Sequence, residues 1–148
     1  AVPEYDHHCA FLRNTIGRDN YAAFFATVLT ATATCALMLA LALVALQGDG
    51  SGARAWVSPL AVAAAVFFGF YLASWAGLLF FHVLLCARNL TTSEVLRARA
   101  SGAPLSRGAF DTGSVAANFA ARLWPARCGP GEVDDLSEVA AWLARRKT

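Results

Sequence analysis

Two uncharged apolar stretches dominate the sequence and restrict what it can fold into. Residues 20–48, a run of 29, and residues 55–87, a run of 33, contain no Asp, Glu, Lys or Arg. A helix needs about 20 apolar residues to cross a hydrocarbon core about 30 Å thick. The alternative is a soluble core with two buried helices, but a domain of 148 residues is too small to surround both. We therefore predict an all-α membrane protein whose spans, residues 21–46 and 56–87, form a hairpin.

The composition supports this class and excludes others. Hydrophobic residues make up 57% of the chain and charged residues 15%, whereas soluble domains average roughly 45–50% and 25%. These values exclude a disordered chain and a coiled coil. The net charge of +2 is too small for a surface that tracks nucleic-acid phosphates, so we predict no nucleic-acid partner.

The sequence outside the hairpin divides into two polar segments. Residues 1–19 precede the spans, the hairpin covers residues 20–87, and residues 88–148 form a tail. In the tail the patterns predict short helices over residues 91–100 and 114–124, and an amphipathic terminal helix capped by Asp135. The loop between the spans carries one arginine, Arg54, whereas both outer flanks carry several. The excess of positive charge predicts that both ends face the cytosol.

The most informative short stretch is Asp6-His7-His8-Cys9. A thiolate is a strong nucleophile, a neighbouring imidazole can take its proton, and a carboxylate can orient that imidazole. The same residue types also bind zinc. The chain contains no C-x-x-C pair, however, so a complete four-ligand site cannot form locally. Both a catalytic and a metal-binding interpretation remain open from the residues alone.

With its surroundings, this stretch resembles the DHHC protein S-acyltransferases, the palmitoyltransferases. The family's G-x-x-N-x-x-x-F motif is matched by Gly17, Asn20 and Phe24, and its T-T-x-E motif by residues 91–94. Phe110-Asp111-Thr112-Gly113, followed by Asn118, is similar to the family's carboxyl-terminal motif. The resemblance covers residues 1–120, and the motifs occur in the family's order.

The resemblance implies a two-step acyl transfer. Cys9 is expected to take the acyl group from acyl-CoA (palmitoyl-CoA) as a thioester and to pass it to cysteines of cytosol-facing substrate proteins. His7 is expected to deprotonate Cys9, and Asp6 to orient His7. The supporting motif residues, expected near the site or holding the tail, are Asn20, Thr91, Thr92, Glu94 and Asn118.

The resemblance also implies a larger architecture. The family has four spans with a cysteine-rich domain between the second and third, so this chain corresponds to the second half. Residues 1–19 are then the end of the cysteine-rich domain. The only methionine, Met38, lies inside the first span, which agrees with a fragment. We expect a multi-pass protein of the Golgi, endoplasmic reticulum or plasma membrane, in contact with membrane lipid.

Zinc is the point at which the sequence departs from the family. His8 is expected to be a structural zinc ligand in the full-length protein, but Thr15 stands where the family has a second ligand, a cysteine. We therefore expect no zinc in the fragment. The departure keeps open a catalytically weak or inactive member acting as a membrane scaffold. A metal-binding membrane hairpin that uses His7, His8 and Cys9 is the other alternative.

Aromatic residues of the second span predict a cavity for a lipid chain, although each could equally face lipid. They are Phe67, Phe70, Tyr71, Trp75, Phe80 and Phe81. His82 lies near the cytosolic end of that span, where it is either a packing residue or a functional one.

Overall fold

The predicted helical architecture is confirmed. The computed structural model describes residues 4–47, 57–104, 108 and 110–124. The helices are α1 (Tyr21–Leu46), α2 (Val57–Arg88), α3 (Thr92–Ser101) and α4 (Val115–Leu123). The predicted loop between the spans and the terminal helix capped by Asp135 lie outside the described residues.

The two long helices form an antiparallel hairpin with an apolar exterior. Tyr21, at the start of α1, bonds to His82, near the end of α2. Both helices are long and apolar enough to cross a membrane, and few of their residues are buried. Large side chains such as Val66 and Phe70 are about 70% exposed. A helix in a soluble core would bury such residues, so the exterior fits a lipid environment.

A short antiparallel sheet, which was not predicted from the sequence, precedes the hairpin. Strand β1 (His7–Cys9) pairs with β2 (Asn14–Ile16), with His8 opposite Thr15. Side chains alternate between the faces of a strand. His7 and Cys9 are accordingly half-buried on one face, and His8 is exposed on the other.

The core lies where this sheet meets the end of the hairpin at which α1 begins and α2 ends. Its buried residues are Ile16, Tyr21, Phe24, Val28 and Cys86. α4 packs against both long helices, and the Phe119 ring meets that of Phe25 edge-on at 6.5 Å. The polar segments on either side of the hairpin are thus brought together at one end of it.

The end of α2 turns the chain back toward the sheet. Asn89 adopts a positive φ of 47°, the Asn89 amide donates to the Cys86 carbonyl, and the Leu90 amide to that of Leu85. This is the Schellman arrangement that ends helices at a left-handed residue. Gly108 lies so close to the Asn89 carbonyl that a side chain there would collide with it. The turn places the T-T-x-E motif beside β1.

Candidate active site

Asp6 is the centre of the site. Its side chain is fully buried, and its two carboxylate oxygens accept four hydrogen bonds. Oδ1 accepts from the Thr92 amide at 3.0 Å and from Arg122 Nη2 at 3.1 Å. Oδ2 accepts from the Thr92 hydroxyl at 2.7 Å and from His7 Nδ1 at 2.8 Å. A buried carboxylate is stable only when paired in this way.

These contacts set the charge of Asp6. Burial by itself raises the pKa of a carboxyl group. Here the hydrogen bonds from Thr92 and His7 and the positive charge of Arg122 outweigh burial, so the pKa of Asp6 lies below its ordinary value. Asp6 is therefore a carboxylate at neutral pH and accepts the Nδ1 proton of His7. That bond leaves Nε2 of His7 as the basic nitrogen.

His7 and Cys9 share a face of β1, but no hydrogen bond joins them among the described residues. The His7 ring contacts Phe24 edge-on at 5.1 Å between centroids, and the His82 ring is 5.9 Å away. These aromatic neighbours restrict the orientation of the imidazole. Bonds between a base and its nucleophile often shorten only when substrate binds, so the lack of a bond here does not by itself exclude His7 as the base for Cys9.

An apolar cavity of about 400 Å³ opens beside Cys9. It lies between the two long helices and the β1–β2 turn. The lining residues are Cys9, Phe11, Leu12, Phe24, Thr27, Val28, Phe70, Tyr71, Ser74, Trp75 and Leu78. Three of the six aromatic residues predicted for such a cavity are among them: Phe70, Tyr71 and Trp75. The other three, Phe67, Phe80 and Phe81, do not line this cavity.

The T-T-x-E segment divides its residues between two tasks. Thr91 and Glu94 form a capping box that begins α3: the Glu94 amide donates to the Thr91 hydroxyl, and the Thr91 amide donates to the Glu94 carboxylate. Thr92, the first residue of the helix, is the one that contacts the Asp6 carboxylate. The cap fixes the position of α3, so it also fixes the two donors of Thr92.

The two predicted asparagines join neighbouring segments. Asn20 precedes α1; its side chain accepts from the Gly17 amide and donates to the Thr15 carbonyl, both at 2.9 Å. Asn118 is buried in α4 and donates to the Ala87 carbonyl at 2.9 Å. Asn20 thereby fixes β2 against α1, and Asn118 fixes α4 against the end of α2.

His8 does not belong to a zinc site within the described residues. Its Nδ1 lies 3.2 Å from the Thr15 hydroxyl, and no group of three His, Cys, Asp or Glu side chains surrounds it in that part of the chain. A histidine with a hydroxyl is not a donor set that holds zinc. These residues alone do not fit the metal, and His8 as a ligand in the full-length protein stays a prediction.

Arg122 is a buried residue of the site that no sequence motif singled out. Arg122 bonds to Asp6, and its guanidinium carbon lies 4.0 Å from the centre of the Tyr21 ring. The Tyr21 hydroxyl is 3.0 Å from His82 Nδ1 and accepts from the Cys86 thiol at 3.5 Å. His82 and Cys86 are thus buried packing partners of Tyr21. The sequence signal for Arg122 is its spacing of four from Asn118, which puts both on one face of a helix.

The comparisons with known proteins agree with these motifs. The family model described as DHHC palmitoyltransferase matches residues 1–99. Palmitoyltransferase ZDHHC5-B of Danio rerio is 32% identical over 111 residues, which is 74% of this chain and 17% of that protein. Palmitoyltransferase ZDHHC8 of Mus musculus is 32% identical over 111 residues, 74% and 15% of the two chains. Palmitoyltransferase ZDHHC5 of Bos taurus is 35% identical over 104 residues, 68% and 14%. The chain thus spans 14% to 17% of the length of these relatives.

Proposed function

The chain belongs to the DHHC palmitoyltransferase family, and on this premise we propose that it transfers a fatty acyl group from acyl-CoA to cysteines of substrate proteins through a thioester on Cys9. One observation carries the proposal. A buried Asp6 carboxylate holds Nδ1 of His7 at 2.8 Å, on the same strand face as a half-buried Cys9 that opens into an apolar cavity.

The first step loads the enzyme. His7 Nε2 takes the proton from the Cys9 thiol, and the thiolate attacks the carbonyl carbon of acyl-CoA. The new bond from Cys9 sulfur to carbon forms as the carbon–sulfur bond to CoA breaks, and the CoA thiolate leaves with the proton from His7. In the second step His7 takes the proton of a substrate cysteine thiol, and the resulting thiolate attacks the carbonyl carbon of the Cys9 thioester. The carbon–sulfur bond to Cys9 breaks, and Cys9 leaves as a thiol with the proton from His7. Asp6 orients His7 and stabilises the imidazolium formed in each step.

The cavity supports a long acyl group as the transferred unit. Burial of a methylene group is worth about 0.8 kcal/mol, so a chain lying between α1 and α2 gains affinity with each carbon. Thr92 supports the site by binding Asp6, and Thr91 and Glu94 support Thr92. Asn20 and Asn118 hold the sheet and α4 in place. In the full-length protein His8 would be a structural zinc ligand together with residues from outside this chain.

The proposed placement in the membrane follows the distribution of arginines. The family and the two long apolar helices indicate a membrane protein. We propose that residues 20–87 cross the bilayer twice, and that residues 1–19 and 88–148 lie in the cytosol. Cys9 is then at the cytosolic interface, where the acyl chain enters the cavity and CoA stays in water. The proposed partners are acyl-CoA, membrane lipid and cytosol-facing proteins with accessible cysteines.

Labelling with palmitoyl-CoA tests the proposal. The full-length protein is expected to acquire a label that hydroxylamine removes, as thioesters require. Cys9→Ser is expected to abolish the label, and His7→Ala to suppress it without loss of expression. Cys35→Ser, a buried cysteine of α1, is the matched control and is expected to label normally.

Two results would contradict the proposal. Label that survives Cys9→Ser would assign the nucleophile elsewhere. A folded wild-type protein that takes no label would favour the scaffold, or the metal-binding hairpin if metal analysis then finds bound metal.

A further inference from the structure

Arg122 is a buried charged group at the site that the proposed chemistry does not use. Its side chain is 3% exposed. Nη2 donates both to Asp6 Oδ1 at 3.1 Å and to the Leu90 carbonyl at 3.0 Å. On its other side the guanidinium lies against the Tyr21 ring, 4.0 Å from the centroid. Arg122 therefore connects α4, the turn after α2 and α1 at the carboxylate that orients His7.

The negative charge of the buried Asp6 carboxylate requires a positively charged partner. In the described part of the chain, Asp6 forms an ion pair with Arg122, and with His7 only when that imidazole is protonated. A general base must be neutral before it accepts a proton, so His7 in its working form brings no charge to Asp6. A buried carboxylate without a counter-charge is strongly unfavourable. Arginine stays protonated in proteins, so Arg122 is the permanent counter-charge.

The geometry gives Arg122 a second effect, on orientation. Arg122 and the Thr92 amide bind Oδ1 of Asp6, whereas the Thr92 hydroxyl and His7 bind Oδ2. Donors at both oxygens prevent the carboxylate from rotating. Oδ2 therefore stays directed at Nδ1 of His7, which leaves Nε2 as the nitrogen facing the reaction.

Stability alone is a poor explanation for a buried arginine here. The Nε atom of Arg122 is buried and has no hydrogen-bond partner in the part of the chain that the structure describes, and an unmet buried donor costs free energy. Apolar residues of similar volume often stabilise a core as well as a buried ion pair does. The position of Arg122 is better explained by the carboxylate that it holds.

We propose that Arg122 is a positioning residue for the acyl transfer, acting through Asp6: it balances the charge of the carboxylate and keeps Oδ2 on His7. The inference rests on the function proposed above, because it concerns the Asp6, His7 and Cys9 side chains that carry the proposed acyl transfer. Arg122 is separated from Cys9 by Asp6 and His7, so it acts on the rate of acylation and not on the binding of acyl-CoA.

The test measures the rate of Cys9 acylation in the full-length protein against palmitoyl-CoA concentration. Arg122→Gln is expected to lower the maximal rate roughly 10²-fold, the size of effect that misplacement of a catalytic group produces. The KM for palmitoyl-CoA is expected to stay within about twofold, because only a step after binding is affected. Ala121→Gln, on the exposed side of the same helix, is the matched control and is expected to react at the wild-type rate.

Two further variants separate positioning from folding. Arg122→Lys keeps the charge but lacks the planar group that stacks on Tyr21, and it is expected to fold and to react about tenfold more slowly than wild type. In an Asp6→Asn background, Arg122→Gln is expected to cost little more, because its effect passes through Asp6.

Several results would overturn the inference. They are a wild-type rate in Arg122→Gln or Arg122→Lys, a rise in KM without a change in maximal rate, and a full additional loss in the Asp6→Asn background. If wild type forms no thioester on Cys9, the proposed function fails and this inference fails with it. A labelled wild type with unaffected Arg122 variants overturns the inference alone.

Discussion

Thr92 binds the Asp6 carboxylate at both oxygens, although 86 positions separate the two residues in sequence. The amide of Thr92 is 3.0 Å from Oδ1 and its hydroxyl 2.7 Å from Oδ2. Thr92 is the first residue of α3, so Asp6 lies at a helix N-terminus, where the helix dipole favours a negative charge. The polar segment before the spans and the one after them therefore meet at a single carboxylate.

The Thr92 hydroxyl is expected to matter for activity. Thr92→Val keeps the amide donor but removes the hydroxyl donor to Asp6 Oδ2, a hydrogen bond to a charged group worth about 1.5–3 kcal/mol. We expect Cys9 acylation to slow at least about tenfold, since 1.36 kcal/mol corresponds to a factor of ten. Thr92→Ser is expected to restore the rate. Thr32→Val, which removes a hydroxyl bonded only within α1, is the control; equal rates for Thr92→Val and wild type would contradict the prediction.

Stability is expected to depend on pH through Asp6. Because the pKa of this carboxyl is lowered in the folded protein, its stabilising effect is complete above the unfolded pKa of about 3.9 and is lost as pH falls through the folded value. At pH 7, Asp6→Asn is expected to lower the free energy of unfolding by on the order of 3 kcal/mol. The variant is therefore expected to unfold at a lower temperature than wild type. Thermal unfolding in detergent between pH 7 and pH 3 measures this. A difference that stays constant down to pH 3 would show that the Asp6 charge is not responsible.

The sequence was sufficient for the elements whose cause is local. An uncharged run of apolar residues predicts a span wherever it occurs, so residues 21–46 coincide with α1, and residues 56–87 differ from α2 by one residue at each end. The T-x-x-E spacing of Thr91 and Glu94 likewise predicts a helix start. The tetrapeptide at residues 6–9 indicated three candidate site residues, Asp6, His7 and Cys9. A carboxylate, an imidazole and a thiol suggest nucleophilic catalysis from their residue types alone.

The remaining features depend on contacts between distant segments. The capping box uses the side chains of Thr91 and Glu94 and leaves the Thr92 hydroxyl available for another partner. No local pattern, however, reveals that this partner is Asp6. Arg122 was overlooked because an arginine in a polar tail is usually solvated, and its burial depends on a carboxylate 116 positions away. The β1–β2 sheet was missed for a related reason: strands of three residues are too short to show alternation, and they are stable only against the helices.

The cavity is expected to select acyl chains by length. Phe70 and Tyr71 are the lining residues farthest from the end of α2, and Ser74 lies one turn nearer. Ser74→Phe is expected to fill the space reached by the last carbons of a long chain. Loss of two buried methylenes at about 0.8 kcal/mol each lowers the preference for palmitoyl-CoA over octanoyl-CoA by roughly tenfold.

Competition between the two acyl-CoAs in Cys9 acylation measures this preference. Ser101→Phe, on the surface of α3 and away from the cavity, is the control and is expected to keep the wild-type ratio. An unchanged ratio in Ser74→Phe would mean that the acyl chain does not occupy this cavity.

Asn118 is expected to tolerate no change of charge. Its Oδ1 accepts from the amide and hydroxyl of Thr112, and its Nδ2 donates to the Ala87 carbonyl and to Asp111 Oδ1. Asn118→Asp places a carboxylate at a buried position and converts both donor contacts into repulsions between oxygens, which costs roughly 3 kcal/mol. We expect a lower unfolding temperature and slower Cys9 acylation, because Arg122 lies one turn farther along α4. Adding Asp111→Asn removes one repulsion and supplies a donor, so the double variant is expected to recover part of both losses. A double variant no more stable than Asn118→Asp would show that the contact with Asp111 does not hold α4 in place.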